Sequence, residues 1–151
     1  MELLSAGFIS KFSGLLFFLN RSNKEFEMVA DEMGNHSLRT ALNGLSDESY
    51  YYAGELKNYL DSLGIITETK EPGAEEGVYD YDEPPLTAVA GDELLHICAH
   101  NERTLVQAYT ELLNECLPFQ SLKDVMVYQL NALKNTFLKI KTLNSARFAV
   151  Y

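Results

Sequence analysis

The chain has 151 residues, 46% of them apolar and 23% charged, with four prolines, two cysteines and no tryptophan. Its 22 acidic and 12 basic side chains give a formal charge of −10, which argues against the clustered Lys and Arg that phosphate binding needs, so no nucleic-acid partner is expected. One core of this size forms without disulfide or structural metal.

Leu15 to Leu19 is the longest apolar run, far short of the ~20 residues that span a bilayer, so no membrane partner is expected. Glu2 stands where a leader has its basic start, and Lys11 and Ser13 interrupt the apolar stretch that follows. The expected compartment is the cytoplasm.

Four stretches repeat apolar residues in steps of three and four, which predicts helices facing a common core. The first runs through Phe8, Phe12, Leu15, Leu19, Ser22, Phe26, Val29 and Met33, with Gly34-Asn35 as its stop. The second starts at Ser37 as N-cap, carries Leu38, Leu42, Leu45, Ser49, Tyr52, Leu56, Tyr59 and Leu63, and ends at Gly64. Asp92 opens the third, with Leu95, Cys98, Glu102, Leu105, Tyr109, Leu112 and Cys116 before Pro118. The fourth carries Leu122, Met126, Gln129, Leu133, Thr136, Ile140 and Leu143.

Matched helix lengths predict an all-α antiparallel four-helix bundle, one domain over residues 1–151. Short links join the first helix to the second and the third to the fourth, so each pair is expected to be a hairpin. Between the pairs, residues 65–89 contain Pro72, Gly73, Gly77, Pro84 and Pro85. They are expected to form a long crossover, in which Glu68, Glu71, Glu75, Glu76, Asp80, Asp82 and Glu83 face Lys70 alone. Cys98 and Cys116 are 18 residues apart on one expected helix, about 27 Å, and so cannot bridge.

A polar residue interrupts each stripe near its middle: Ser22, Ser49, Glu102 and Gln129. Midpoints of equal helices lie at one level, so these four, with Tyr52, are expected to form a mid-bundle polar layer. Glu102 there must find donors or take up a proton.

This constellation resembles the ferritin-like superfamily. Asn101-Glu102-Arg103-Thr104-Leu105-Val106-Gln107-Ala108-Tyr109, together with Ser49 to Gly64, is similar to the third and second helices of a small bacterial ferritin-like family of unknown function distantly related to rubrerythrin. The resemblance implies a di-iron or di-manganese centre built from two Glu and two Glu-x-x-His sets. Against that pattern only Glu102 stands on a core stripe; Ser49, Tyr52, Gln129 and Ala132 occupy ligand places, and Phe137 stands where the family often has His. The layer is therefore expected to be hydrogen-bonded and to hold no metal. The alternative is an iron or manganese protein that recruits Glu102 with Glu48, Glu25 or Glu55, acting as an oxidoreductase or in metal handling.

Glu93-Leu94-Leu95-His96 and the i, i+4 pair His96 and His100 match metal motifs, but the expected phase of the third helix turns them outward. Tyr50-Tyr51-Tyr52 covers nearly three sides of the second helix, so all three cannot face one core. With Phe17 and Phe18 beside the first stripe, this surplus of aromatic surface predicts a homodimer through the first two helices. No nucleophile elbow, phosphate-binding glycine loop or Cys-x-x-Cys occurs, so no catalytic residue is assigned and a non-enzymatic protein acting through protein contacts is expected.

Overall fold

Helix boundaries follow the chain's capping chemistry. The computed structural model describes residues 6–65, 91–115 and 119–146, with α1 at Ala6–Glu32, α2 at His36–Ser62, α3 at Gly91–Leu113 and α4 at Gln120–Ala146. Among the described residues there is no strand, and no helix is long and apolar enough to cross a membrane. Residues 66–89 of the expected crossover, with its acidic run, and Cys116 lie outside the described residues.

Two side chains close the turn between α1 and α2. Asn35 is the N-cap: its backbone is extended (φ −74°, ψ 121°) and its side chain accepts the Leu38 N–H at 3.0 Å. Ser37 had been the expected cap, but α2 begins one residue before it, at His36. Arg39 donates to the Met33 carbonyl through Nε at 3.1 Å and Nη2 at 2.8 Å. This satisfies an acceptor beyond the last turn of α1.

At the far end of α2, Gly64 takes φ +75°, a left-handed conformation that costs a side-chain-bearing residue about 1–2 kcal/mol. It lets the Ile65 N–H reach the Leu60 carbonyl and the Gly64 N–H reach the Asp61 carbonyl, both at 3.0 Å. This is a Schellman ending, and Ile65 folds back onto the core.

α1 packs against α2 and α3, and α4 packs against α2 and α3, so the two diagonals of the bundle are α1 with α4 and α2 with α3. Phe12, Leu15, Leu19, Leu42, Leu45, Leu56, Leu105, Leu112, Met126 and Leu133 fill the space between them. Across the α1–α4 diagonal, Phe26 and Phe137 meet edge to face with ring centroids 6.1 Å apart, a favoured aromatic geometry. Phe18 is buried, and Phe17 packs half-buried against the core with the Arg21 guanidinium 5.9 Å from its ring centre. The bundle therefore covers more of this aromatic pair than the sequence suggests.

Contacts along the neighbouring pairs run in opposite numerical order. Between α1 and α3, Lys11 bonds Glu115 just past the end of α3 while Ser22 bonds Asn101. On α2 and α4, Tyr59 meets Ser121, Glu55 meets Gln129 and Glu48 meets Thr136.

Candidate functional site

A polar network joins α2, α3 and α4 through Gln129. Gln129, on the buried stripe of α4, is fully enclosed. Its carbonyl oxygen accepts from the Tyr109 hydroxyl of α3 at 2.7 Å. Its amide nitrogen donates to Glu55 Oε1 of α2 at 2.8 Å and lies 3.4 Å from the Tyr52 backbone oxygen. One side chain thus ties three helices, and the burial of its partners raises the worth of each bond.

Two turns away, Glu48 accepts from two hydroxyls, Tyr52 Oη at 3.1 Å and Thr136 Oγ1. Burial, then the nearby Glu48 charge, pushes the Tyr52 phenol well above its ordinary range. Burial does the same to Tyr109, with Tyr52 and Glu55 adding to it. Both tyrosines are therefore protonated donors at neutral pH.

Other polar clips lie at the two α1 interfaces. Ser22, buried on α1, donates to Asn101 Oδ1 of α3 at 3.2 Å. The Asn101 amide nitrogen lies 3.0 Å from its own helix at the Ile97 carbonyl and 3.3 Å from Glu25 Oε2. Glu25 is held by Arg21 Nε at 2.9 Å. Between α1 and α2, Asn23 and Ser46 exchange bonds: the Asn23 amide nitrogen reaches the Ser46 carbonyl and hydroxyl, and that hydroxyl donates to the Asn23 carbonyl at 2.7 Å.

The polar residues therefore do not meet at one point. Ser22 pairs at the α1–α3 interface and Gln129 in the α2–α3–α4 corner, while the Ser49 hydroxyl turns back to the Leu45 carbonyl of its own helix at 2.9 Å. Small hydroxyls satisfy themselves locally or across the nearest seam, because a short side chain reaches its own turn or an adjacent helix but not the diagonal one.

Glu102 departs from its expected place. It is half-buried on the flank of α3, lining an open surface depression with His100, Arg103, Val106 and Gln107. Asn101 occupies the buried position instead. The buried face of α3 runs through Ile97, Asn101, Thr104, Leu105, Ala108 and Leu112, about one residue, or 100°, from the phase that carries Glu102. His100 is buried by the same rotation, whereas His96 is exposed; the side chain of Glu93 lies outside the described residues.

Glu102 still acts electrostatically on Cys98, whose thiol is pushed up to about 12 by burial and then by that carboxylate. Of the carboxylates considered as metal ligands, Glu25 belongs to the α1–α3 clip, Glu48 and Glu55 to the α2–α4 seam, and Glu102 to the flank of α3. Among the described residues, no three His, Cys, Asp or Glu side chains are grouped to hold a metal ion. The amide of Gln129 and the hydroxyls of Thr136 and Tyr52 aim protons at Glu55 and Glu48, occupying carboxylate lone pairs that a cation would otherwise use.

The sequence pattern singled out Ser22, Ser49, Tyr52 and Gln129 but missed Asn23, Ser46, Asn101 and Thr104 on buried or half-buried faces. Thr136 stood on the fourth stripe without a role. Set against known protein families, curated proteins and solved structures, the chain has no match.

Proposed function

We propose that this protein is a ferritin-like antiparallel helical bundle that acts through protein contacts, its mid-level metal layer replaced by hydrogen-bonded clips that fix helix register. The opposite numerical order of contacts on α1–α3 and α2–α4 supports the antiparallel arrangement. It also supports parallel diagonals, and a chain passing from α2 to a parallel α3 has to return along the bundle, which is the role of the crossover at 65–89.

One observation carries the reading: Gln129 stands in a fully buried position, with its amide proton committed to Glu55 and its carbonyl to Tyr109. An amide in that role neutralises no cation, and the carboxylates are split between the α1–α3 clip, the α2–α4 seam and the flank of α3. Each of the four neighbouring interfaces instead carries a polar pair, a pattern suited to specifying register. The test is metal content after expression with added iron and manganese. The reading expects no stoichiometric metal; about two equivalents per chain, lost on Glu48→Ala, overturn it.

The homodimer belongs to the same proposal. Leu16, Tyr50, Ala53 and Gly54 line an open groove along α1 and α2, and Tyr50 is exposed beside it. Light scattering at micromolar concentration tests it: twice the chain mass is expected, and the monomer mass refutes this part.

A further inference from the structure

The outer side of the α2–α4 seam is a shallow depression of about 480 Å³ lined by Gly44, Asp47, Glu48, Tyr51, Tyr52, Glu55 and Tyr128. Three tyrosine rings form a chain across it, with centroids 6.0 Å apart from Tyr51 to Tyr52 and 6.5 Å from Tyr52 to Tyr128, each pair edge to face. Tyr51 and Tyr128 are 64% and 66% exposed, so ring faces are open to an incoming group. Three carboxylates border the rings, and among the described residues none of Asp47, Glu48 and Glu55 forms an ion pair.

We propose that this depression docks an arginine-bearing segment of a partner protein. The reasoning rests on the protein-contact reading above and deepens it. Open tyrosine faces attract a cation through the ring quadrupole, and a guanidinium both stacks on such faces and forks onto carboxylates. Unneutralised carboxylates beside the rings supply the matching charge.

The occupant is a protein segment and not a free small cation for two reasons. First, the site is open, whereas small-ligand sites enclose most of their ligand. Second, Asp47, Tyr51 and Glu55 follow one another at four-residue spacing, so the acidic border extends about 12 Å along α2. One guanidinium cannot span that distance, and several side chains of one segment can. Glu48 and Glu55 are braced from below by Thr136, Tyr52 and Gln129, so the same network that holds helix register presents these two carboxylates.

The experiment titrates the intact protein, its Tyr ring signals followed by NMR, with a Gly-Ser peptide carrying three arginines at four-residue spacing. Its controls are the same peptide with citrulline, and free arginine amide. The arginine peptide is expected to shift the Tyr51 and Tyr128 signals saturably, to weaken with added salt, and to bind at least about tenfold tighter than arginine amide. The exposed double variant Tyr128→Ala, Asp47→Asn, whose fold is checked by circular dichroism, is expected to weaken it about tenfold.

Equal response to the citrulline peptide, no saturable shift up to about 5 mM, or an unaffected double variant overturns the proposal. Arginine amide binding as tightly as the peptide overturns the segment as occupant. Metal analysis reads the register layer independently, so failure here leaves that reading standing, and bound metal there leaves this result standing.

Discussion

Replacing Gln129 by leucine is the sharpest perturbation of the network. Leucine has similar bulk but leaves the fully buried Tyr109 hydroxyl, which now donates at 2.7 Å, with no acceptor. A buried donor stripped of its partner costs about 1–3 kcal/mol, and the lost bond to half-buried Glu55 adds about 1 kcal/mol. The expected total is about 2–4 kcal/mol, a fall in Tm on the order of 4–16 °C for a domain of this size. Adding Tyr109→Phe removes the stranded hydroxyl, so the double variant is expected to recover about 1–2 kcal/mol relative to the sum of the single variants. Urea unfolding of all four proteins measures this coupling. Single-variant losses that simply add, to within about 0.3 kcal/mol, refute the idea that Gln129 and Tyr109 act as a pair.

On α3, Asn101→Leu is expected to cost about 1–3 kcal/mol by stranding the buried Ser22 hydroxyl, whereas Glu102→Leu changes stability by less than about 0.5 kcal/mol; thermal unfolding in the reverse order refutes the assigned helix phase. Alkaline pH provides a second check. The Cys98 thiol is pushed up to about 12 and the Tyr52 and Tyr109 phenols well above their usual range, while in the unfolded chain they titrate near about 8.5 and 10. The unfolded state therefore loses protons first, so these groups' contribution is complete below about pH 8 and declines as pH rises through the unfolded values toward the folded ones. Urea midpoints that stay level between about pH 8 and 10.5 contradict it.

Helix number and extent were legible because each stripe is long and the first three end on a distinct stop. Gly64 combines a left-handed φ with two reverse hydrogen bonds, which only glycine adopts without strain. The phase of α3 was not legible. Steps of three and four allow the stripe to pass from Cys98 to either Asn101 or Glu102, and both lead on to Leu105 and Leu112. Packing decides for Asn101, because its amide can bond both Ser22 and the Ile97 carbonyl inside the bundle, while a carboxylate there could not donate to that carbonyl without taking up a proton.

The seam residues were hidden for a different reason. Asn23, Ser46 and Asn101 lie at the edges of their stripes, where hydropathy reads as surface, and become interior only once a neighbouring helix covers them. Their pairings join helices through contacts 23 and 79 residues apart in sequence, which no local pattern encodes. Tyr51 and Tyr128 show the converse. Apolar by composition, they are left exposed beside a carboxylate border, outside the core that composition alone would assign them to.

The central claim is that hydrogen bonds, and not metal ions, hold the middle of this bundle. The most direct measurement is an anomalous difference map from crystals grown with manganese. The account predicts no peak among Glu48, Glu55 and Gln129, with the Gln129 amide bonded to Glu55 and its carbonyl to Tyr109. Two peaks about 3.5–4 Å apart at that level, with Glu48 and Glu55 as ligands, would contradict it.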